Sequence, residues 1–398
     1  MRPSFFSYQG PLPASKSLLN RALIVQSFFP ELKIGGESQC EDVIHLRKAL
    51  WQLSYEGSQQ FHCGAGGTSL RFLMARLSRV PGKYELYGDQ RLMSRPHHGL
   101  IKALKQLGVQ VSCPEDACMQ ITSTGWSLPG GALSVTDPTS SQSLSALLLS
   151  AWNLEKDLLI EFDPENQASI GYLHMTLDFL KDLGMELEVD VGSIRVPAGQ
   201  KIQKSQIDIE PDMSSAFALA ACALSNGNLR IHKFPRTSGQ PDFVFVELLK
   251  SMGADINYDS QFQILTVKSS SHLEGVERNL KDTPDIFPVL AVLLSRAHGV
   301  SELSGLETLA YKESNRLENT RNLLQNLGYD CLYQNKKFKI EGRPDHIPLG
   351  SLEFDPDQDH RMAMAAALAQ RQGADLQILN PKVINKSFPE FWEILQSC

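Results

Sequence analysis

The chain is 398 residues long, enough for two or three domains at roughly 150 residues each. Its 42% hydrophobic and 21% charged residues suit a folded globular protein with a large core and argue against overall disorder. With 38 Lys and Arg against 45 Asp and Glu the net charge is −7, which speaks against broad binding to nucleic acid or an anionic membrane and leaves room for a local basic pocket.

From the N-terminus the chain runs into Gln9-Gly10-Pro11 with no apolar signal core behind it, so no secretion signal is expected. The longest apolar stretches, residues 216–224 and 286–294, fall well short of the roughly 20 residues that cross a bilayer. Seven cysteines, at 40, 63, 113, 118, 222, 331 and 398, lack CxxC spacing, and no second pair completes a site around Cys113 and Cys118. Reduced thiols in a cytoplasm are expected, and no metal.

In chain order, small and apolar residues gather into six segments that begin near Ser17, Thr68, Ser141, Ser214, Asp285 and His360, at intervals of 51, 73, 73, 71 and 75 residues. Helices apolar nearly all round must be buried. Between them fall amphipathic segments that close on glycine: Leu104 to Gly108, Leu180 to Gly184, Leu249 to Gly253 and Leu324 to Gly328. Gly directly after a helix is the left-handed C-cap, and the residues that follow each one, from Val109, Met185, Ala254 and Tyr329, read as strands. The expected unit is strand–helix–strand–helix–strands, about 70 residues long, and six units with the first shortened fill the chain.

Polar residues of the buried helices collect at their N-terminal ends: Lys16-Ser17, Gly67-Thr68, Ser140-Ser141-Gln142, Asp212 with Ser214-Ser215, Pro284-Asp285 and Asp359-His360-Arg361. Ser, Thr and Asp there could be ordinary caps. Capping does not call for cations, however, and Lys16, Arg21, Arg71, Arg95 and Arg361 concentrate positive charge at helix starts, where unpaired N–H groups already favour anions.

At these residues the run Pro13-Ala14-Ser15-Lys16-Ser17-Leu18-Leu19-Asn20-Arg21 resembles the PGSKSxxNR opening of the EPSP synthases, the 3-phosphoshikimate 1-carboxyvinyltransferase family. Further matches follow in the family's order: Gly66-Gly67-Thr68 with Arg71, Gly88 to Pro96, Ser140-Ser141-Gln142, Ser169 with Tyr172, Pro284-Asp285, Lys312-Glu313-Ser314-Asn315-Arg316, Asp359 to Met364, and Pro381 to Lys386 with Phe388-Pro389. Nine motifs in register cover essentially the whole chain. The resemblance implies an α/β fold of two lobes, each of three βαβαββ-type units with helices buried inside sheets, an inside-out barrel whose helix N-termini point at a cleft. It divides the chain into 14–211, with the shikimate 3-phosphate motifs, and 1–13 plus 212–398, with the phosphoenolpyruvate and acid–base motifs.

The activity implied is transfer of the enolpyruvyl group of phosphoenolpyruvate to the 5-hydroxyl of shikimate 3-phosphate, releasing phosphate by addition and elimination. By resemblance, shikimate 3-phosphate is held by Lys16, Ser17, Arg21, Ser140, Ser141, Gln142, Ser169, Tyr172, Asp285 and Lys312. Hydroxyls grip a phosphate and a ring diol without adding charge, while Lys and Arg supply the Coulomb attraction. Phosphoenolpyruvate falls to Lys16, Gly67, Arg95, Gln142, Arg316, Arg361 and Lys386, because Arg forks match carboxylate and phosphate and Gly lets the backbone come close. Asp285 is the candidate base for the hydroxyl and Glu313 the candidate acid for the methylene carbon, with Lys16 and His360 as further catalytic candidates. No cofactor, nucleic acid or membrane is implied; the expected partners are the two small substrates, and the expected state is a cytoplasmic monomer.

The sequence departs from the family pattern at Ala65, Thr308, Ala310 and Asn315, where Asn, Asn, Arg and Asp are usual. Those departures motivate one alternative, a non-catalytic paralogue that binds small molecules. Another is the sister enzyme that moves the same group onto UDP-N-acetylglucosamine, but aligning Arg95-Pro96 puts Gln90 where that enzyme has a reactive cysteine. Relatives acting on RNA 3′ ends are disfavoured by the acidic balance.

Overall fold

A computed structural model of the chain describes residues 5–114, 117–128, 130–346, 348 and 350–396; Cys398 lies outside them. The chain divides into a middle unit, Ser15–Ile209, and a terminal unit made of the residues up to Ala14 and those from Glu210 onward.

In chain order the elements are β1 (Phe6–Gly10), α1 (Lys16–Gln26), β2 (Lys33–Gly35), α2 (Glu41–Trp51), β3 (Gln60–His62), α3 (Gly67–Leu77), β4 (Gly82–Tyr87), α4 (Gln90–Met93), α5 (His98–Gln106), β5 (Gln110–Ser112), β6 (Met119–Ser123) and β7 (Leu133–Val135). They continue with α6 (Gln142–Leu149), β8 (Leu158–Phe162), α7 (Ile170–Asp182), β9 (Glu188–Asp190), β10 (Ser193–Val196), β11 (Gln206–Asp208), α8 (Met213–Asn226), β12 (Gly227–Ile231), α9 (Phe245–Ser251), β13 (Ile256–Asp259) and β14 (Ile264–Lys268). The last stretch holds β15 (Glu277–Asn279), α10 (Phe287–Leu294), β16 (Gly299–Ser304), α11 (Arg316–Asn326), β17 (Cys331–Gln334), β18 (Lys337–Gly342), β19 (Ser351–Phe354), α12 (His360–Arg371), β20 (Asp375–Ile378) and α13 (Phe391–Gln396).

Four sheets follow one plan. Their strand orders are β3-β4-β6-β5 and β7-β8-β10-β9 in the middle unit, β1-β12-β14-β13 and β15-β16-β18-β17 in the terminal unit. In each, the first pair is parallel and the other two pairs are antiparallel. A parallel pair needs a crossover, and the buried helix supplies it: β3–α3–β4, β7–α6–β8 and β15–α10–β16. Where the chain passes between units, two strands are exchanged. β1 precedes α1 in the chain but pairs with β12, while β11 precedes α8 and pairs with β2.

The first repeat is shortened to α1, β2 and α2. The last is shortened too, which the sequence reading did not expect: after β20 the chain turns through Pro381–Lys386 into α13, where complete repeats place an amphipathic helix and two antiparallel strands. Phe388 and Phe391 are buried in the terminal unit's core there, and α13 packs against β1. Apolar anchoring thus takes over from strand pairing.

Helices lie inside and sheets outside in each unit. α1, α3 and α6 pack on one another in the middle unit and α8, α10 and α12 in the terminal unit. Every residue of α8 from Met213 to Leu224 is buried, as its composition requires. The glycine-terminated helices α5, α7, α9 and α11 all end in the same way: Gly108, Gly184, Gly253 and Gly328 take φ between +80° and +95°. The next N–H, from Val109, Met185, Ala254 or Tyr329, donates back to the carbonyl of Leu104, Leu180, Leu249 or Leu324. That residue is therefore still tied to its helix, which is why β5, β13 and β17 start one or two residues later than the hydrophobic pattern suggests.

Candidate active site

In the middle unit the candidate groups collect at the N-terminal ends of α1, α3 and α6, the start of α7 and the loop before α5. Ser15 caps α1, its Oγ accepting from the Leu18 N–H at 3.4 Å, which puts Lys16 and Ser17 in the half-buried first turn. Lys16 Nζ reaches Asp42 Oδ2 at 2.9 Å. Arg21, one turn further in, is buried. Its Nε donates to Thr176 Oγ1 at 2.9 Å, one Nη to the Ser17 carbonyl at 2.8 Å and the other to the Tyr172 carbonyl at 3.1 Å. Burial pushes its pKa down to about 9, with Tyr172 working weakly the other way. Two of its donors thus tie α1 to α7, and a third bonds back within α1.

Arg71 on α3 plays a similar part for two other candidates. It donates to Gln142 Oε1 at 2.6 Å and to the Pro96 carbonyl at 2.9 Å, so it holds both the start of α6 and the loop that carries Arg95. Gln142 also donates to Thr68 Oγ1 at 3.0 Å, and its N–H bonds Ser140 Oγ at 3.1 Å. Gly67 faces these guanidinium groups: a Cβ there would meet Arg95 Nη1 at 2.8 Å and Arg71 Nη1 at 3.1 Å. Ser141 precedes α6 and Ser169 precedes α7; Ser169 takes a left-handed backbone, φ +52°, unusual for a residue with a side chain. His97, beside Arg95, is buried, and desolvation, with Arg71 and Arg95 adding to it, pushes its pKa down to about 3.

In the terminal unit the site is a lattice of charges around Arg316, at the start of α11. Its Nε donates to Asp359 Oδ2 at 2.8 Å, Nη1 to Asp285 Oδ1 at 2.8 Å, and Nη2 to Glu313 Oε2 at 2.8 Å and Asp359 Oδ1 at 3.2 Å. Burial works against this guanidinium's charge, and the Asp359, Glu313 and Asp285 carboxylates outweigh it, holding Arg316 protonated. Lys312 Nζ lies 3.1 Å from Asp285 Oδ1, and Lys386 Nζ 2.7 Å from Glu313 Oε1. Burial alone would raise the Asp285 pKa, but Lys312, Arg316 and Arg361 hold it well below the usual carboxylate range. Asp359 caps α12 through the Arg361 N–H at 2.9 Å. The His360 ring, expected to orient or donate to a phosphate, is fully buried, its Nδ1 3.8 Å from Asp359 Oδ1.

The structure therefore brings Asp285, Lys312, Glu313, Arg316 and Lys386 together, and separately Gly67, Arg95 and Gln142. Asn315, where an acid is usual in the family, caps α11 by accepting from the Glu318 N–H at 3.2 Å, while Arg316 finds its carboxylates elsewhere. Thr308, the other changed polar position, buries an Oγ1 that has no hydrogen-bond partner among the described residues. Three acids escaped the sequence reading as site residues: Asp42, Asp242 and Asp359. Asp42 lies in the first turn of α2, where acids are ordinary complements of the helix dipole, so nothing local marks it. Asp242 did carry a signal. Pro241-Asp242 repeats the Pro211-Asp212 and Pro284-Asp285 pattern.

With this geometry in place, comparison with known proteins gives one answer. The family model for EPSP synthase (3-phosphoshikimate 1-carboxyvinyltransferase) matches residues 29–395. The 3-phosphoshikimate 1-carboxyvinyltransferase of Syntrophobacter fumaroxidans is 31% identical over 408 residues, 97% of this chain and 95% of the relative. That of Archaeoglobus fulgidus is 30% identical, covering 97% and 94%. Among solved structures, EPSP synthase from Acinetobacter baumannii superposes with a TM-score of 0.78 at 22% identity, covering 99% of this chain and 96% of that one. The enolpyruvyl transferase NikO from Streptomyces tendae reaches 0.71 at 15% identity, covering 98% and 94%. At these identities the structural matches speak to the fold.

Proposed function

The chain belongs to the EPSP synthase (3-phosphoshikimate 1-carboxyvinyltransferase) family, and from that premise we propose that it transfers the enolpyruvyl group of phosphoenolpyruvate to the 5-hydroxyl of shikimate 3-phosphate. The observation that carries the reading is the lattice in which Arg316 binds Asp285, Glu313 and Asp359 at once, with Lys312 and Lys386 closing its two sides. Acids and cations in alternation are what an addition–elimination needs. One carboxylate takes a proton as another delivers one, and fixed cations stabilise the charges that develop.

In the addition, Asp285 takes the proton of the 5-hydroxyl as its oxygen bonds C2 of phosphoenolpyruvate, and Glu313, which has first taken up a proton from solvent, delivers that proton to the methylene carbon. In the elimination, Glu313 takes a proton back from the new methyl, the C2–O bond to phosphate breaks, and the hydroxyl's proton leaves with phosphate. Lys312 and Arg316 keep Asp285 ionised and ready to accept. Glu313, between Lys386 and Arg316, is fixed in direction by both.

Shikimate 3-phosphate is assigned to Lys16, Ser17, Arg21, Ser140, Ser141, Gln142, Ser169 and Tyr172 in the middle unit, with Asp285 and Lys312 of the terminal unit at its reacting hydroxyl. Arg21 serves there chiefly by shaping the α1–α7 corner and by its charge. Phosphoenolpyruvate is assigned to Gly67, Arg95 and Gln142 together with Arg316, Arg361, Lys386 and Lys16. The reading extends to a monomer in a reducing cytoplasm, where thiols such as buried Cys40, Cys63 and Cys222 stay free. Its test is phosphate release. Release that requires both substrates is expected, and none above the level of either substrate alone would overturn the proposal.

A further inference from the structure

The segment Ser140-Ser141-Gln142, to which the functional reading above assigns contacts with both substrates, is held at each end by one buried carboxylate. Asp137 lies between β7 and α6 with 3% of its surface exposed. Its Oδ1 accepts from the Thr139 N–H at 3.1 Å and from Thr139 Oγ1 at 2.7 Å, and its Oδ2 accepts from Ser143 Oγ at 2.5 Å. Thr139 and Ser143 are the residues directly before and after the segment. Ser143 is fully buried in the first turn of α6, so the carboxylate clasps the loop against the helix it leads into.

Two other candidate segments of the middle unit meet the same residue. Gln167, buried, donates from Nε2 to the Asp137 carbonyl at 3.3 Å and to the Ala168 carbonyl at 3.2 Å, directly before Ser169 and its left-handed backbone. Gly99, in the first turn of α5, follows the loop that carries Arg95, and a Cβ there would meet Asp137 Cβ at 2.7 Å and Cγ at 2.9 Å. Arg71 fixes the Gln142 side chain, but Ser140 and Ser141 depend on the clasp. A carboxylate suits this place because it only accepts, so the Thr139 and Ser143 hydroxyls must donate to it. Ser140 Oγ accepts from the Gln142 N–H, which leaves its own O–H to donate, as a phosphate requires.

We propose that Asp137 is a positioning residue for substrate binding: through Thr139 and Ser143 it fixes Ser140-Ser141-Gln142 in the form that receives shikimate 3-phosphate. The identity of that ligand rests on the functional reading above. The groups assigned to proton transfer, Asp285 and Glu313, belong to the terminal unit. Loss of the clasp should therefore show in substrate affinity and much less in turnover at saturation.

The test is equilibrium titration of shikimate 3-phosphate into the full-length protein and its variants, beside steady-state phosphate release and denaturant unfolding. Asp137→Ala strands the Thr139 and Ser143 donors, and should raise the Kd for shikimate 3-phosphate roughly tenfold or more while kcat at saturation falls less than about threefold. Asp137→Asn keeps an acceptor for Thr139 and a partner for Ser143 Oγ, and should recover most of the affinity. Ser143→Ala releases one end only and should raise Kd about threefold. Ser123→Ala is the control: Ser123 Oγ donates to the Ser78 carbonyl at 2.6 Å, just past the C-terminal end of α3, so its loss should cost stability and leave Kd unchanged. A Kd within about twofold of the parent's in Asp137→Ala, or in Ser143→Ala should the first variant not fold, would overturn the inference. So would Asp137→Asn binding no better than Asp137→Ala, or Ser123→Ala losing as much affinity as Asp137→Ala. Phosphate release by the unsubstituted protein reports separately on the functional reading, so the two can fail independently.

Discussion

Arg21 of the middle unit and Arg316 of the terminal unit, two buried candidate cations, are held by opposite means. The Arg21 guanidinium donates to one hydroxyl and two backbone carbonyls, none of which carries charge. In the terminal unit, Arg316 is surrounded by three carboxylates, and Lys312 and Lys386 each face one. The consequence is visible in the two arginines: burial drags Arg21 down to about 9, while Arg316, equally buried, is held charged by its acids. A cation with neutral partners offers its charge to a ligand, which suits a phosphate. A cation saturated by carboxylates offers none, and instead keeps Asp285 ionised and aims Glu313, which suits proton transfer. Lys16, paired with Asp42, is the middle unit's exception.

The comparison breaks most visibly on substitution of the two arginines. Arg316→Met strands the buried Asp359 carboxylate and leaves Asp285 and Glu313 with one lysine each, and it should cost about 3–5 kcal/mol of stability, with activity lost, because unpaired buried charge is the expensive defect. Arg21→Met strands only neutral acceptors and should cost about 1–3 kcal/mol. Denaturant titration of both variants measures the gap, and equal losses would mean that the partners' charge is immaterial.

A smaller effect is expected at Gly67. The Cβ of Gly67→Ala would stand 2.8 Å from Arg95 Nη1, so the guanidinium must shift. Steady-state kinetics should show KM for phosphoenolpyruvate raised roughly tenfold, about 1.4 kcal/mol, with kcat less affected, the mark of a ground-state contact. An unchanged KM would remove Arg95 from the phosphoenolpyruvate assignment.

The smallest effect concerns pH. His97 is held neutral in the folded chain, with a pKa pushed down to about 3 by burial and by Arg71 and Arg95, while the unfolded chain protonates it at the ordinary value of 6.5. The unfolded state therefore binds the extra proton between these limits, and stability rises with pH across that window. His97→Gln should flatten the rise by at most about 1.4 kcal/mol per pH unit, read from denaturation midpoints between pH 4 and 6 at roughly constant salt. A slope identical to the parent's would show that His97 is charged in the folded state.

The sequence carried the periodic features well, for a physical reason: the six buried helices are apolar on every side and the glycine C-caps recur, so both leave local traces. Strand starts came out shifted because the residue after each glycine still bonds its helix. The shortened last repeat left no trace, since what replaces the missing strands is the packing of Phe388 and Phe391. The same limit applies to the site. Glu313 and Arg316 stand three apart on one turn and were legible as a motif, but Asp359 and Asp42 come to Arg316 and Lys16 across 43 and 26 residues of chain. Nor does any local feature tell that Arg21 will be spent on Thr176 and two carbonyls.

The proposed division of labour, shikimate 3-phosphate held by the middle unit and protons moved by the terminal one, is tested most directly by Glu313→Gln. Shikimate 3-phosphate affinity, measured by equilibrium titration of this variant, is set beside its rate of phosphate release. Affinity within about twofold of the parent is expected, with release slowed roughly 10²–10⁴-fold, the usual share of a positioned acid. A variant that releases phosphate at the parental rate, or that loses shikimate 3-phosphate as steeply as it loses turnover, would contradict the division.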